Sequence, residues 1–424
     1  MILKSQRLRL WGIVLALTTA IGLTGCDRRT FSVPDAPDPE VIAAQNGFGF
    51  ELYRKLISEG VSSDEQGIFI SPASISLALS MTYNGARGET KAAMARTMGL
   101  ESFSPETVNG SQAALVQQAA QRSADDQGIE LRMANGLWQD ERLSLRKDFV
   151  HLNQRFFGAT VRSLDFDDPA AAEIINQWVS ENTEGRIPRL LHGIDPQTVL
   201  FIVNAVYFKG DWTRPFDPHL TRTRPFYPAG GGQRDMPMMY QEGMFSHHEG
   251  PGFQAVRLPY GDEESVAMYV FLPDLRSDLD EFHERLTYDN WEQWLAGFSR
   301  KNGRVMIPRF RLDFKTKLNE PLKELGMAIA FDPARADFSA MADTYPGTNL
   351  SISEVIHQSF LLVNEEGTEA AAATSVGMRL TSAPVYQFDF IADRPFFLVI
   401  RDELNGAILF MGSVLTPAPA EATQ

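Results

Sequence analysis

The chain has 424 residues, of which 44% are hydrophobic and 22% are charged, so it can bury a large core, and its length alone suggests two or three domains. The formal net charge is −15 and the basic residues form no stripe, which excludes a protein that binds nucleic acid through its phosphates.

The first 26 residues have the pattern of an export signal: a basic start, an apolar run from Leu10 to Leu23, and small residues before Cys26. The apolar run is shorter than the ~18 to 20 residues of a membrane-spanning helix, which favours a signal that is cleaved. An ordinary signal peptide and an uncleaved anchor helix are the alternatives. Cys26 is the only cysteine, so no disulfide within the chain is possible.

The stretch LTGC, which ends at Cys26, resembles the bacterial lipoprotein box. In that family the signal is cut before the cysteine, whose new amino terminus is acylated. The resemblance implies a signal peptide over residues 1–25 and an exported protein anchored to the periplasmic or outer face of a membrane. The polar, proline-rich residues 26–43 are then expected to be a tether between the anchor and a folded body.

Helices and strands follow without regular alternation. Apolar residues at helical spacing predict helices in GFGFELYRKLISEG, SPASISLALSMTYNGA and GETKAAMARTMGL, the second opening on a Ser-Pro start signal. Seven runs rich in β-branched or aromatic residues predict strands: VLFIVNAVYF, GFQAVRLPY, SVAMYVFLP, RVMIPRF, SFLLVN, PFFLVIRD and AILFMGSVL. Several of these runs are apolar on both faces, which predicts central strands covered on both sides. The sequence therefore predicts an α+β fold with large sheets and no repeat architecture.

Motifs of enzyme active sites are absent: the chain has no GxSxG, GxxxxGK[ST], GxGxxG after a strand, or HExxH. His247 and His248 are adjacent in FSHHEGPG, which reads as a loop, and a fortuitous surface pair is favoured there over a metal site. His357 follows the pattern of a hydrogen-bonded core histidine. We expect no metal, no cofactor and no enzymatic activity.

An alanine-rich segment follows the strand-like run SFLLVN, and it opens on Gly367 and Thr368. Alanine favours helices over strands, so a short surface helix is one interpretation of GTEAAAAT. By itself, the segment has the residue pattern of neither a good strand nor a well-capped helix.

Six blocks in the same order resemble the serpin family and together cover about Phe48 to Thr416: FISPASISLALSMTYNGARGET, INQWVSENTEGRIPRLL, VLFIVNAVYFKGDW, LKELGMAIAFDPARADFSAM, ISEVIHQSFLLVNEEGTEAAAAT, and ADRPFFLVIRD with ILFMGSV. The resemblance implies one large domain with three β-sheets, eight or nine helices and an exposed reactive loop. We place this domain at residues 44–418, followed by a tail over residues 419–424.

The resemblance also implies a suicide inhibitor of serine proteases. In serpins the protease acylates itself on the reactive loop, which then inserts into the largest sheet before deacylation is complete. An inserting strand alternates faces, so one set of side chains enters a close-packed interior, where bulky or charged groups are costly. The inward set is Thr368, Ala370, Ala372 and Thr374, the other set is Glu369, Ala371, Ala373 and Ser375, and the hinge is Glu365, Glu366, Gly367, Thr368, Glu369, Ala370, Ala371, Ala372, Ala373 and Thr374.

The family's usual spacing from Gly367 places the scissile bond at Thr381-Ser382, which suits an elastase-like protease. Leu380 would instead attract chymotrypsin-like or subtilisin-like enzymes, and Arg379 trypsin-like ones. Because a pocket distinguishes side chains by only a few kilocalories, a shift of one residue changes the target.

Further positions match the parts of the family that let the sheet open: Ser71, Ser74, Asn204 and His357 match the polar shutter beneath the central strands, whereas Trp212, Arg309 and Glu365 match the breach where the loop first inserts. Ordinary core packing is the alternative for each. The family's heparin-binding helix would fall at residues 104–126, which contain one arginine and no lysine, so we expect no polyanion cofactor.

Two other functions stay open: a non-inhibitory serpin-fold binding or scaffold lipoprotein, and a lipoprotein enzyme with scattered active-site residues. Non-inhibitory serpins typically interrupt the hinge with a charged or bulky residue, and none interrupts the inward set of GTEAAAAT, so inhibition is favoured. The expected partners are a target serine protease and, through acylated Cys26, a membrane. The expected state is a monomer.

Overall fold

The computed structural model describes residues 33–61, 66–275, 278–343, 349–368 and 385–420, and all structural statements below concern these ranges. The residues from Val33 onward form one compact unit. No helix within these ranges is both long enough and apolar enough to cross a membrane.

Nine α-helices occur in the described ranges. Three of them begin with a proline behind a capping side chain, since Asp38, Ser71 and Ser104 each accept a hydrogen bond from a backbone N–H of the first turn. The helices are α1 (Pro39–Ser58), α2 (Pro72–Tyr83), α3 (Gly88–Thr97), α4 (Pro105–Asp125), α5 (Lys147–Phe157), α6 (Ala170–Asn182), α7 (Leu279–Glu284), α8 (Tyr288–Ala296) and α9 (Asn319–Leu322).

The strands form three sheets. In chain order they are β1 (Phe69–Ile70), β2 (Ile129–Asp140), β3 (Ser144–Leu145), β4 (Thr160–Leu164), β5 (Leu200–Asp211), β6 (Arg222–Phe226), β7 (Arg234–Gly250), β8 (Phe253–Tyr260), β9 (Val266–Pro273), β10 (Ser299–Pro308), β11 (Phe310–Lys317), β12 (Ala342–Asp343), β13 (Ile356–Val363), β14 (Gly367–Thr368), β15 (Phe388–Ile391), β16 (Phe396–Asp402), β17 (Ile408–Val414) and β18 (Ala418–Pro419).

The largest sheet has nine strands in the order β1-β17-β16-β9-β8-β7-β10-β15, with β6 paired to β7. Every residue of β9 and of β17 is buried, and only Arg401 of β16 is partly exposed. The apolar runs SVAMYVFLP, PFFLVIRD and AILFMGSVL are therefore central strands covered on both faces, as the sequence predicts.

The second sheet has seven strands in the order β18-β11-β13-β14-β5-β2-β4, and the third pairs β12 with β3. Helix α6 and the residues after it pack on the seven-stranded sheet through a separate apolar cluster that includes Trp138 and Ile175. The nine α-helices and three sheets confirm the predicted α+β class.

The structure corrects the sequence at both ends of the domain. Helix α1 begins at Pro39 and buries Val41, and the N–H of Asp38 donates to Ser111 on α4, so the segment expected to be a tether over residues 26–43 joins the fold before it ends. At the other end, Pro419 pairs with Phe310 in β18, so the fold extends beyond the expected boundary at residue 418.

The predicted loop around His247 and His248 is also wrong, because both residues lie in the long strand β7. Gly243 and Gly250 within this segment read as turn signals, but pairing with β10 and β8 holds the chain extended. Burial alternates along this part of the strand, and His247 is 1% exposed whereas His248 is partly exposed.

Candidate functional site

A slot lies in the middle of the seven-stranded sheet. The short strand β14 separates β5 from β13 at one end, through the pairs Gly367↔Asp211, Thr368↔Gly210 and Val363↔Thr368. Beyond β14, no described residue of β5 forms a ladder with β13. We call this gap between β5 and β13 the slot. A cavity of about 30 Å³ is lined by residues of both strands and of the segment that follows α6.

A tight turn over residues 364–366 reverses the chain from β13 into β14. The side-chain oxygen of Asn364 accepts hydrogen bonds from the backbone N–H groups of Glu366 (3.1 Å) and Gly367 (3.0 Å). The backbone N–H of Asn364 donates to the carbonyl of Gly367 (2.9 Å). Asn364 therefore organises the turn, and the sequence signal that could have identified it is the turn-forming pair of Asn and Gly in NEEG.

Gly367 is required by close packing. Its φ is not left-handed, but a Cβ at this position would lie 2.0 Å from the carbonyl oxygen of Gly210 and 2.7 Å from the Cα of Asp211. Any side chain would therefore push β14 away from β5. Glycine is therefore required here because it lacks a Cβ, and not because the backbone is left-handed.

Thr368 points into the interior. It is 1% exposed, and its hydroxyl lies 2.8 Å from the phenol oxygen of Tyr260. The Tyr260 ring stacks on Trp212 with centroids 4.3 Å apart, and burial raises the pKa of the Tyr260 phenol far above its usual value. Tyr260 therefore stays protonated, and the two hydroxyl groups satisfy each other in an apolar site.

Trp212, Arg309 and Glu365 meet at this same end of the slot. The indole Nε1 of Trp212 donates to the carbonyl of Asn364 (2.9 Å), and its backbone N–H donates to the carbonyl of Glu366 (2.7 Å). Arg309 Nη1 lies 3.3 Å from a carboxylate oxygen of Glu365. The indole and the ion pair thus hold the turn from two sides.

Glu365 is paired with Arg309, whereas among the described residues Glu366 has no ion pair and only Lys209 acts on it as a nearby cation. One of its carboxylate oxygens is buried without a hydrogen-bond partner, and so is one of Asp211. Burial and the carboxylates of Asp211 and Glu365 raise the pKa of Glu366, and Lys209 offsets part of this rise. Burial also raises the pKa of Asp211. The turn therefore carries electrostatic repulsion at the point where β14 begins.

The amino terminus of α2 contacts both walls of the slot. The N–H of Ser71 donates to Nε2 of His357 on β13 (3.2 Å), whereas the hydroxyl of Ser74 donates to the side-chain oxygen of Asn204 on β5. The amide of Asn204 donates in turn to Asn135 on β2 (2.6 Å). The start of α2 therefore forms separate hydrogen bonds with β13 and with β5, and these bonds do not join the two strands to each other.

His357 is neutral in this arrangement. It is 6% exposed, burial lowers its pKa from 6.5 to about 4, and its Nε2 accepts a hydrogen bond. The structure thus brings together the predicted residues Ser71, Ser74, Asn204 and His357. Asn135 was missed, because nothing in the local sequence distinguishes it from other strand asparagines.

Other groups that could carry chemistry do not form an active site among the described residues. Ser413 Oγ lies 2.8 Å from His283 Nε2, with Asp280 4.0 Å from Nδ1, but Ser413 is only 2% exposed and out of reach of a substrate. His247 and His248 project to opposite faces of β7. No cluster of metal-ligating residues is found in the described ranges.

The single arginine of α4, Arg122, is buried in an ion pair with Asp402. It therefore presents no charge at the surface where a polyanion would bind. Other sequence-predicted sites lie outside the described residues: Cys26, the hinge positions Glu369 to Thr374, and the bait positions Arg379, Leu380, Thr381 and Ser382.

Comparison with known proteins identifies the family. A model of the family described as "Serpin (serine protease inhibitor)" matches residues 43–417. An uncharacterized serpin-like protein of Thermococcus kodakarensis is 36% identical over 90% of this chain and 87% of its own length, and human leukocyte elastase inhibitor is 34% identical over 89% of this chain and 100% of its own. The native-state crystal structure of the thermophilic serpin tengpin is similar with a TM-score of 0.80 and 29% identity, covering 89% of this chain and 95% of that one.

Proposed function

The chain belongs to the serpin family, and from that premise we propose that it is a suicide inhibitor of serine proteases that traps its target by inserting the reactive loop into the slot. Many members of this family inhibit serine proteases, and others are non-inhibitory. The proposal for this chain therefore rests on features of its own slot and hinge.

The observation that carries the proposal is that β14 pairs on both sides, with β5 through Gly367 and Thr368 and with β13 through Thr368. The facing edges of β5 and β13 bear backbone donors and acceptors that a longer central strand would satisfy. A strand that continued from Thr368 would extend both ladders at once. The slot thus favours insertion of the residues that follow the hinge.

The side chains at the start of this path support insertion. Thr368 occupies an apolar site beneath Tyr260 without strain, because it is small and its hydroxyl is satisfied. The next three inward positions are Ala370, Ala372 and Thr374. A close-packed sheet accepts such small residues, whereas a charge there would be desolvated without a partner.

Within this mechanism we place the scissile bond at Thr381-Ser382 and expect an elastase-like target. The similarity to a human inhibitor named for leukocyte elastase is consistent with such a target. The alternatives are cleavage after Leu380 by chymotrypsin-like or subtilisin-like enzymes and cleavage after Arg379 by trypsin-like ones.

The test is to incubate the mature chain with one protease of each of these four types. Inhibition should give a covalent complex that resists SDS, and mass spectrometry of the released peptide should place the cut after Thr381. Cleavage without any covalent complex across the panel would contradict inhibition and favour the second candidate, a non-inhibitory binding or scaffold protein.

We also propose that acylation of Cys26 anchors the mature chain to a membrane. The chain contacts the folded body from Val33 and Asp35 onward, so about six residues would separate the lipid from the domain. Such a tether would place the inhibitor at the envelope surface, where it would meet exported proteases.

A further inference from the structure

A cavity of about 230 Å³ lies between the nine-stranded sheet and the segment 212–216. Its apolar wall includes Trp212, Phe216 and Phe245. Its polar wall includes Arg214, Arg257, Arg300 and one acidic residue, Glu264. Three guanidinium groups beside aromatic rings are unusual in a chain with a net charge of −15. The function proposed above makes no use of this cavity.

The three arginines differ in how their charge is balanced. Arg257 is paired with the carboxylates of Glu264 (2.9 Å) and Glu403 (3.4 Å). Arg214 donates to the backbone carbonyl of Glu242 (2.9 Å), and within the described residues it has no carboxylate within ion-pair distance. Two tyrosines donate to the Glu242 carboxylate instead. Arg214 therefore keeps a net positive charge at the cavity.

Arg300 adds a second unbalanced cation. In the described ranges it has no ion-pair partner, and its strand register places it beside Ser246, which in turn lies beside Arg257. Directly opposite residues in an antiparallel sheet share a face, so Arg300, Ser246 and Arg257 form one row on the cavity wall. The row provides a hydroxyl between two guanidinium groups.

We propose that this cavity binds a small aromatic anion that bears a carboxylate or a sulfonate. The planar guanidinium groups of Arg214 and Arg300 would take the anionic group in forked hydrogen bonds, which arginine forms well with such oxygens. The aromatic body would lie against Trp212, Phe216 and Phe245. Arg214 already lies over the Phe245 ring, 5.4 Å from its centroid, so its guanidinium plane is fixed before a ligand arrives.

The ligand would also act on the hinge, because one wall of the cavity is the segment that holds it. The N–H of Trp212 donates to the carbonyl of Glu366 and the N–H of Phe216 to the carbonyl of Glu365, both at 2.7 Å. A ligand packed against these two rings restrains the same segment from the opposite side. Occupancy therefore stabilises the contacts between segment 212–216 and the hinge.

The binding test uses naphthalene-2-sulfonate and its uncharged analogue 2-naphthalenemethanol, titrated calorimetrically into the mature full-length chain. The sulfonate should bind at least about tenfold more tightly than the alcohol. Arg214→Gln and Arg300→Gln should each weaken sulfonate binding by about tenfold, whereas Arg96→Gln, at an exposed position on α3, should leave it unchanged. Ser246→Phe, which fills the cavity, should abolish binding.

Binding that is equal for the sulfonate and the alcohol, unaltered in both cavity arginine variants, or absent at about 10 mM ligand would overturn the site. Arg300→Gln changes an exposed side chain, so its result stands even if Ser246→Phe folds poorly.

Amide hydrogen exchange then tests the link to the hinge. Sulfonate should slow exchange at Trp212 and Phe216, and exchange unchanged by bound ligand would overturn that link. Neither experiment requires protease inhibition, so the site and the proposed function can fail separately.

Discussion

The hydroxyl groups of Thr368 and Tyr260 lie 2.8 Å apart, and both side chains are almost completely buried. Tyr260 ends β8 in the nine-stranded sheet, whereas Thr368 belongs to the seven-stranded sheet, so this hydrogen bond joins the two sheets. It forms at the first residue of the hinge that enters the interior. The contact therefore couples the start of insertion to the core of the molecule.

Thr368→Val and Tyr260→Phe test this coupling because each change removes one hydroxyl and nearly preserves shape. Each single variant should lower the free energy of unfolding by about 1 to 2 kcal/mol, since it leaves the other buried hydroxyl unpaired. The double variant should be less destabilised than the sum, by about 1 kcal/mol. Urea unfolding of all four proteins measures this difference, and strictly additive effects would show that the two hydroxyls do not interact.

Thr368→Arg should convert the inhibitor into a substrate. The charge enters the site beneath Tyr260, where desolvation is uncompensated, and the bait bond is distant enough to be cleaved normally. A few kilocalories on the insertion barrier slow insertion by a factor of ~10² or more, so deacylation wins. Gels should show cleaved chain and little covalent complex.

The matched control is Glu369→Arg, at the adjacent position, which strand alternation assigns to the opposite face. It introduces the same side chain and should retain far more covalent complex than Thr368→Arg. If both variants trap protease as well as the wild type does, GTEAAAAT does not insert, and the interpretation of this segment as a surface helix returns.

Cleavage of the reactive loop should stabilise the protein. An inserted strand completes the ladders of β5 and β13, and with about 1 kcal/mol for each net hydrogen bond the Tm should rise by at least about 10 °C. Calorimetry of intact and cleaved chain measures the change, and cleaved Thr368→Arg should gain much less. An unchanged midpoint in the wild type would favour the scaffold function.

Acid should destabilise the protein through His357. Its pKa is about 4 when folded and 6.5 when unfolded, so below pH 6.5 the unfolded chain binds a proton that the folded chain excludes. Stability is fully present above pH 6.5 and falls as the pH drops toward 4, with a loss of about 2 kcal/mol from this group between pH 7 and pH 5.

His357→Gln keeps an acceptor for the N–H of Ser71 but does not titrate. Urea unfolding at pH 7 and pH 5 should therefore show an acid-induced loss that is smaller by about 2 kcal/mol in the variant. His283, whose pKa burial also lowers to about 4, should still contribute its share in both proteins. If the free energy of unfolding falls equally in the wild type and the variant, protonation of His357 does not destabilise the folded chain.

Cys26→Ala should release the protein from the membrane fraction, because the proposed acylation requires this cysteine, the only one in the chain. Fractionation of cells that express each form measures this. Equal recovery of the two forms in the soluble fraction would exclude the lipid anchor.

Features set by residues that are close in the sequence could be predicted, whereas contacts between residues far apart in the sequence could not. The start of α2 is set by neighbouring residues, since Pro72 begins the helix and Ser71 caps it. The runs that are apolar on both faces likewise identify buried strands. The pairing of Tyr260 with Thr368 spans 108 positions and depends on how the two sheets meet, so no local pattern encodes it. The extension of β7 through His247 was missed because its glycines suggest turns that pairing on both sides overrides.

The seven-stranded sheet has two different kinds of edge, one at the outer strand β18 and one inside it at the slot. At the outer edge, Pro419 faces Phe310, and a proline cannot donate the backbone hydrogen bond that a further strand would need. Inside the sheet, β5 and β13 form no described ladder with each other beyond β14. β18 is therefore a poor template for a further strand at this edge, whereas a strand inserted in the slot would pair with both β5 and β13.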